Sequence, residues 1–179
     1  MTTFDSHIIS LATALGKEMK RRDWMMGTAE SCTGGLVAGA ITAVAGSSAW
    51  FDRGFVTYSN EAKVVDLEVS PDTLNLYGAV SEPVAQEMAN GVLLGSRVSH
   101  VAVSTTGIAG PEGGTPGKPV GMVCFGFAVR AGQGITTRAA THVFTGDRAQ
   151  VREQAVAFAL QGLLETIGAK AEESDPTMV

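Results

Sequence analysis

The spacing of apolar residues along the chain predicts an alternation of helices and strands. Apolar positions at helical spacing (Ile8, Leu11, Leu15, Met19) predict a first helix, and the short apolar run from Trp24 to Ala29 predicts a buried strand after it. The predicted order is helix 6–22, strand 24–29, helix 36–44, strand 50–59, helices 61–67, 70–78 and 81–97, strand 100–105, strands 120–130 and 135–144, and helix 149–167.

This alternation favours an α/β fold. The glycine-containing turn 131–134 between the last two strands is typical of a hairpin, so at least one strand is antiparallel. We therefore predict a three-layer α/β/α sandwich over a mixed, mostly parallel sheet with one antiparallel hairpin strand. Residues 1–168 are expected to form a single domain, and the polar residues 169–179 a flexible tail.

Composition and charge narrow the class of protein. The 179 residues are 45% hydrophobic and 17% charged, which favours a compact globular domain. The net charge of −5 gives no support for nucleic-acid binding. No apolar run approaches the roughly 20 residues of a membrane span, and no signal-peptide pattern begins the chain. Only two cysteines are present, which predicts a reducing cytoplasmic location rather than a disulfide framework.

The segment Thr28–Gly35 is the strongest candidate for a reactive site. It forms a polar corner between a predicted strand and a predicted helix, with Ser31 as a candidate nucleophile. The three histidines lie in no recognisable motif. Lys63 is an alternative base, because a lysine in the first turn of a helix opposes the helix dipole and its pKa falls; its local sequence, however, is more typical of an exposed surface lysine. Cys32 is a competing nucleophile, since a helix N-terminus lowers a thiol pKa, or else a small buried residue.

Two further features could bind an anion. The loop 107–117 is rich in glycine but matches neither a P-loop nor a dinucleotide-binding fingerprint, so a phosphate cradle and a mobile surface loop remain alternatives. Arg148, at the start of the last helix, could bind an anion or pair with Asp147 or Glu153. Scattered histidines and distant cysteines favour no metal site.

Several separate motifs occur in order over residues 6–167. They are TAESCTGG at 28–35, GSS at 46–48, GFVTYSNEAK at 54–63, GAVS at 78–81, TGIAGP at 106–111 and GDR at 146–148. Together they resemble the CinA C-terminal domain family, and within it most closely the stand-alone nicotinamide mononucleotide deamidases.

The resemblance implies a serine amidohydrolase that needs no metal or cofactor and forms nicotinate mononucleotide and ammonia in pyridine nucleotide salvage. It implies Ser31 as nucleophile and Lys63 as general base, with Tyr58 beside them. We expect a small-molecule substrate and a homo-oligomer, with a dimer favoured. Substrate contacts and oxyanion stabilisation are expected from eight residues: Thr33, Gly34, Gly46, Ser48, Thr105, Thr106, Gly107 and Arg148.

Two alternatives remain open at this point. The first is a non-catalytic nucleotide-binding module of the kind that accompanies other domains in this family. The second is an amidase that acts on a different heteroaromatic carboxamide.

Overall fold

The computed structural model describes the backbone of residues 4–173 and the side chains of residues 4–168. Its helices and strands follow the predicted order, with one short 3₁₀ helix at Ser47–Ala49. The elements are α1 (Ser6–Arg22), β1 (Met25–Glu30), α2 (Leu36–Thr42), β2 (Phe51–Val56), α3 (Asn60–Leu67), α4 (Pro71–Tyr77), α5 (Glu82–Leu94), β3 (Ser99–Gly107), β4 (Met122–Ala131), β5 (Gly134–Val143) and α6 (Arg148–Glu173).

The five strands form one mixed sheet in the order β2-β1-β3-β4-β5. β1 lies in the middle of a parallel trio, paired with β2 on one side and β3 on the other. β4 pairs antiparallel with both β3 and β5, so it alone runs against the other strands. The predicted mixed sheet with one antiparallel hairpin strand is therefore confirmed.

Helices cover both faces of the sheet and bury two hydrophobic clusters. On one face, α1, α2 and α6 pack over a cluster that contains Leu15, Trp50 and Phe125. On the other face, α5 lies against the sheet together with α3 and α4, and this cluster contains Met88 and Leu93. The apolar positions that predicted α1 all face the first cluster, where burial of each large side chain stabilises the fold by about 1.5–3 kcal/mol.

Most element boundaries differ from prediction by a few residues, as the ends of three helices illustrate. Ser59, not Asn60, caps α3, because its hydroxyl accepts a hydrogen bond from the Ala62 amide. α5 ends at Leu94, short of the predicted Arg97, and the Arg130 guanidinium donates to Leu93 O in the last turn of the helix and to Ser96 O just after it. α6 continues to Glu173, so the first residues of the predicted tail are helical; residues 174–179 lie outside the described residues.

Within residues 4–173, no helix has the length and apolarity needed to cross a membrane. The carboxyl ends of β1, β2 and β3 meet at one edge of the sheet, because all three run in the same direction. In open α/β sheets this edge is where ligands bind. The predicted corner at Ser31 and the glycine-rich loop after β3 both lie there.

Candidate active site

A cavity of about 210 Å³ opens at the carboxyl edge of the parallel strands. Ser31 follows β1 directly, and its amide donates to Thr105 O at 2.9 Å. The Thr57 amide donates to Glu30 O at 2.9 Å, which holds the segment after β2 beside the same corner. The cavity is lined by Ser31, Cys32, Tyr58, Asn60, Lys63, Ala79, Val80, Thr106, Gly107, Ala109 and Arg148.

Lys63 reaches Ser31 across the floor of this cavity. Its Nζ atom lies 3.1 Å from Ser31 Oγ and 2.8 Å from Thr57 O. The lysine is only 1% exposed, and none of the described carboxylates forms an ion pair with it. Burial lowers the pKa of Lys63, because a desolvated ammonium is disfavoured. The interpretation of Lys63 as an exposed surface lysine is therefore wrong.

Cys32 has the opposite protonation behaviour from the one its position suggests. Burial raises the pKa of the Cys32 thiol to about 12, and the negative charge of Glu30 acts in the same direction. The thiol is therefore protonated at neutral pH and is a poor nucleophile. A negatively charged Cys32 thiolate would raise the pKa of Lys63. Because the thiol is neutral, it does not offset the lowering of the Lys63 pKa by burial.

The histidines have contacts away from the cavity. His100 Nδ1 accepts a hydrogen bond from the Met25 amide, and its ring stacks on Trp24. His142 packs beside Phe144 and Phe158. His7 lies near the start of α1. None of the three lines the cavity, whereas Lys63 does and contacts Ser31 there.

Glu30 is a buried carboxylate that binds the beginning of α2. It is 1% exposed and accepts hydrogen bonds from the amides of Gly35, Val37 and Ala38 at 2.8–3.0 Å. The Thr33 hydroxyl donates to the same carboxylate at 2.7 Å. The amides at the helix start are thus largely occupied by a side chain of the protein itself.

Two backbone amides of the Ser31 corner donate no hydrogen bond to another described residue. The Gly34 amide donates to Ser31 O at 3.0 Å, and the Leu36 amide donates to Thr33 O. Among the described residues, the amides of Cys32 and Thr33 have no acceptor on another residue. These two amides immediately follow the candidate nucleophile, which is where donors to an oxyanion are needed.

Of the three threonines predicted to contact the substrate, Thr106 lines the cavity and Thr33 and Thr105 do not. Thr33 and Thr105 are fully buried, and their hydroxyl oxygens lie 2.7 Å apart. Because the Thr33 hydroxyl proton goes to Glu30, Thr105 is the donor in this pair. The Thr106 hydroxyl donates to Ala79 O at 2.8 Å, although the residue lines the cavity. All three hydroxyl protons therefore have acceptors within the protein.

The remaining predicted glycine and serine contacts lie outside the cavity, with one exception. Gly34 adopts a positive φ of 59° in the corner, next to the Arg152 side chain. Gly46 and Ser48 lie in the turn before β2, at the opposite edge of the sheet from Ser31. Gly107, at the end of β3, does line the cavity.

Arg148 and Tyr58 meet at the mouth of the cavity. The Arg148 guanidinium donates from Nη2 to Tyr58 Oη at 2.8 Å and from Nη1 to Gly110 O at 3.1 Å. These contacts replace the alternative pairing with Asp147 or Glu153. Tyr58 is 59% exposed, so it forms part of the rim. Arg148 thus presents a cation where the glycine-rich loop approaches the cavity.

Sequence reasoning did not single out two residues that support the corner. Glu30 stands inside the TAESCTGG motif, directly before Ser31, so its position could have identified it. Arg152 donates to Cys32 O and Thr33 O, each at 3.1 Å. It lies one helical turn after Arg148, and this i, i+4 spacing places both arginines on one face of α6.

No group of three or more His, Cys, Asp or Glu residues in the described part of the chain could hold a metal ion. The arrangement at this edge is therefore described by its serine, lysine and backbone amides. A hydroxyl beside a buried lysine, with free amides next to it, can perform nucleophilic acyl transfer.

Comparison with known proteins shows which family the chain belongs to. The model of the CinA C-terminal domain matches residues 8–167. The chain is 55% identical over 159 residues to nicotinamide-nucleotide amidohydrolase PncC of Escherichia coli K12, covering 89% of this chain and 94% of that protein. It is 53% identical to a CinA-like protein of Chlorobium phaeobacteroides, over 79% of this chain and 34% of that longer protein.

The fold is also shared with a solved structure. The competence/damage inducible protein CihA of Agrobacterium tumefaciens superimposes with a TM-score of 0.85 at 43% identity, covering 92% of this chain and 98% of that one. The family model and the relatives both extend over most of the described residues. The chain belongs to the CinA C-terminal domain family.

Proposed function

We propose that this chain is a nicotinamide-nucleotide amidohydrolase that converts nicotinamide mononucleotide and water to nicotinate mononucleotide and ammonia. The observation that carries the proposal is the 3.1 Å contact between Lys63 Nζ and Ser31 Oγ inside the cavity. The identity to a relative named for this activity, over nearly the full length of both chains, supports the choice of substrate.

Lys63 activates Ser31 as a neutral amine. A neutral amine has two N–H groups and one lone pair. In the structure Nζ donates to both Ser31 Oγ and Thr57 O. In the neutral amine, one N–H stays directed to Thr57 O and the lone pair is free to accept the hydroxyl proton of Ser31. As Ser31 Oγ bonds to the carboxamide carbon, its proton moves to Lys63. General-base assistance of this kind contributes about 10²–10⁴ in rate.

The negative charge that develops on the carboxamide oxygen is stabilised by the amides of Cys32 and Thr33. Both are free of other acceptors among the described residues. One oxyanion donor is worth about 3 kcal/mol. The Gly35, Val37 and Ala38 amides take no part in this step, because Glu30 accepts from them.

Collapse of the tetrahedral intermediate breaks the carbon–nitrogen bond. Lys63 returns its proton to the leaving nitrogen, ammonia departs, and the acyl group remains on Ser31 as an ester. A water molecule then attacks the ester carbon while Lys63 takes its proton. The proton finally goes to Ser31 Oγ, which regenerates the free serine and releases the carboxylate product.

Substrate binding is assigned to the walls and mouth of the cavity. Apolar side chains of Ala79, Val80 and Ala109 flank the space for the pyridine ring. The cavity is smaller than the about 300–1,000 Å³ typical of ligand pockets, so the ribose phosphate extends toward the mouth. There, Arg148 and the glycine-rich loop that begins at Gly107 bind the phosphate.

The test measures ammonia release from nicotinamide mononucleotide by the wild type and three variants. Ser31→Ala and Lys63→Ala lose at least about 100-fold in kcat, because each removes a group of the acyl-transfer step. Cys32→Ala is the matched control, since it changes the neighbouring residue of the same cavity and retains activity. Full activity in Ser31→Ala contradicts the mechanism.

The same assay separates the alternatives. Wild-type protein that binds the mononucleotide without turnover points to a non-catalytic nucleotide-binding module, and faster turnover of another heteroaromatic carboxamide points to a different amidase. Comparing the mononucleotide with nicotinamide riboside tests the phosphate site. The wild type prefers the mononucleotide, and an unchanged preference in Arg148→Met rules Arg148 out.

A further inference from the structure

The guanidinium of Arg152 binds the main chain of the Ser31 corner from a distant part of the sequence. Its Nε donates to Cys32 O and its Nη2 donates to Thr33 O, both at 3.1 Å. Among the described residues it has no carboxylate partner. Its hydrogen-bonding capacity is thus directed at two successive carbonyls that follow the proposed nucleophile.

Because the peptide group is planar, these two contacts determine the directions in which the Thr33 and Gly34 amides point. In a planar trans peptide, the carbonyl and the following N–H point in opposite directions. Binding Cys32 O on the α6 side therefore turns the Thr33 amide away from α6. Binding Thr33 O likewise sets the Gly34 amide, which donates to Ser31 O at 3.0 Å. One planar side chain thus fixes two successive peptide planes.

Glu30 binds the other groups of the same corner. Its carboxylate accepts from the amides of Gly35, Val37 and Ala38 and from the Thr33 hydroxyl. A cation therefore binds the carbonyls of the corner and an anion binds the amides that follow it. Between these contacts, the amides of Cys32 and Thr33 stay free.

We propose that Arg152 is a positioning residue that aims the Thr33 amide at the oxyanion by binding Cys32 O and Thr33 O. This inference rests on the proposed acyl-transfer function. Arg152 does not touch the substrate in this scheme, because it does not line the cavity. Its effect is exerted through the peptide planes of the corner, so its loss slows chemistry more than it weakens substrate binding.

The test compares steady-state kinetics of Arg152→Met, Arg152→Lys and the control Arg138→Met. Arg138 is a close match, because its Nε and Nη2 atoms also each donate one hydrogen bond, to Thr166 and to Gly162 O of the same helix, away from the cavity. Arg152→Met loses about 100-fold in kcat, as expected when a reacting group is misplaced by about 1 Å, while KM stays within about twofold. Arg152→Lys has an intermediate kcat, since its ammonium lacks the planar fork.

Each outcome either supports the positioning role of Arg152 or overturns it. If folded Arg152→Met loses no more kcat than Arg138→Met, or loses activity only through KM, the inference is overturned. Should Arg152→Met fail to fold, Arg152→Lys decides: reduced kcat at unchanged KM supports the inference, and wild-type kcat overturns it. The Ser31→Ala variant reports separately on the proposed function, so a failure of the mechanism is distinguished from a failure of the Arg152 inference.

Discussion

Replacing Glu30 by glutamine tests whether the buried carboxylate holds the Ser31 corner in place. The substitution keeps the shape of the side chain but replaces one acceptor oxygen by an NH₂ donor. In the wild type, Oε2 accepts from Thr33 Oγ1 and from the amides of Gly35 and Val37, and Oε1 accepts from the Ala38 amide. Whichever way the new amide is oriented, at least one N–H of α2 then faces a donor.

The magnitude follows from these contacts. The orientation with the smaller loss keeps the amide oxygen at the Oε2 position and gives up the bond from Ala38. A hydrogen bond to a charged group contributes about 1.5–3 kcal/mol, and a negative charge at a helix N-terminus contributes up to about 2 kcal/mol more in a partly buried position. We expect Glu30→Gln to lower the free energy of unfolding by about 2–5 kcal/mol, a large part of the about 5–15 kcal/mol typical of a domain.

The assay is guanidinium chloride unfolding at neutral pH, followed by far-ultraviolet circular dichroism. Glu153→Gln is the matched control, because it makes the same chemical change on an exposed face of α6. The control should lie within about 0.5 kcal/mol of wild type. An equally small change in Glu30→Gln would show that the four hydrogen bonds do not stabilise the corner, and the physical account of it would be refuted.

Four further predictions concern the proposed base, the third strand and metal independence. The rate of ammonia release should rise with pH as Lys63 loses its proton. Because burial lowers the Lys63 pKa, this rise should be complete below the pH range in which ordinary lysines lose their protons. A rate that does not change with pH contradicts this prediction. Because the folded state binds fewer protons at Lys63 than the unfolded state, the contribution of Lys63 to stability should rise with pH up to the ordinary lysine pKa. The buried thiol of Cys32 acts in the opposite direction at alkaline pH, so the measurement is the free energy of unfolding of wild type minus that of Lys63→Met, which should rise with pH in denaturant unfolding. Gly107→Ala would place a Cβ atom 2.7 Å from Met122 O and 2.9 Å from Val123 Cα, so we expect about 1–3 kcal/mol of destabilisation and reduced kcat; an unchanged melting temperature contradicts it. A metal chelator should leave the rate unchanged, and inhibition that added metal reverses would contradict a mechanism built on Ser31 and Lys63.

Periodicity alone was sufficient for most of the fold. The apolar residues Ile8, Leu11, Leu15 and Met19 sit on one buried face of α1, as their spacing predicts. The errors fall at element ends, where a contact from elsewhere in the chain decides. α5 stops at Leu94 with Gly95 as its C-cap, and Arg130, on β4, donates to Leu93 O in its last turn, a partner that no residue inside the helix signals.

The chemistry of the corner was harder to predict, because it depends on burial and on contacts between distant segments. Lys63 has an ordinary polar neighbourhood in sequence, whereas in the fold it is 1% exposed and its Nζ atom contacts Ser31 Oγ and Thr57 O. For Cys32, local sequence left a reactive thiol and a small buried residue as alternatives, and burial of the side chain, which raises the thiol pKa, favours the second. For Lys63, the family resemblance implied the proposed role of general base, which local sequence did not indicate.

The use of main-chain donors at the corner has a consequence for how this protein tolerates mutation. An amide N–H is present whatever side chain the residue carries, so changes of polarity at position 32 leave the proposed oxyanion contact intact. Two constraints remain: the side chain must fit a site where Cys32 is 6% exposed, and the residue must not be proline, which has no N–H. Natural variation at position 32 should therefore be limited by volume and by the exclusion of proline, whereas at position 31 the proposed mechanism admits no substitute that lacks a nucleophilic atom.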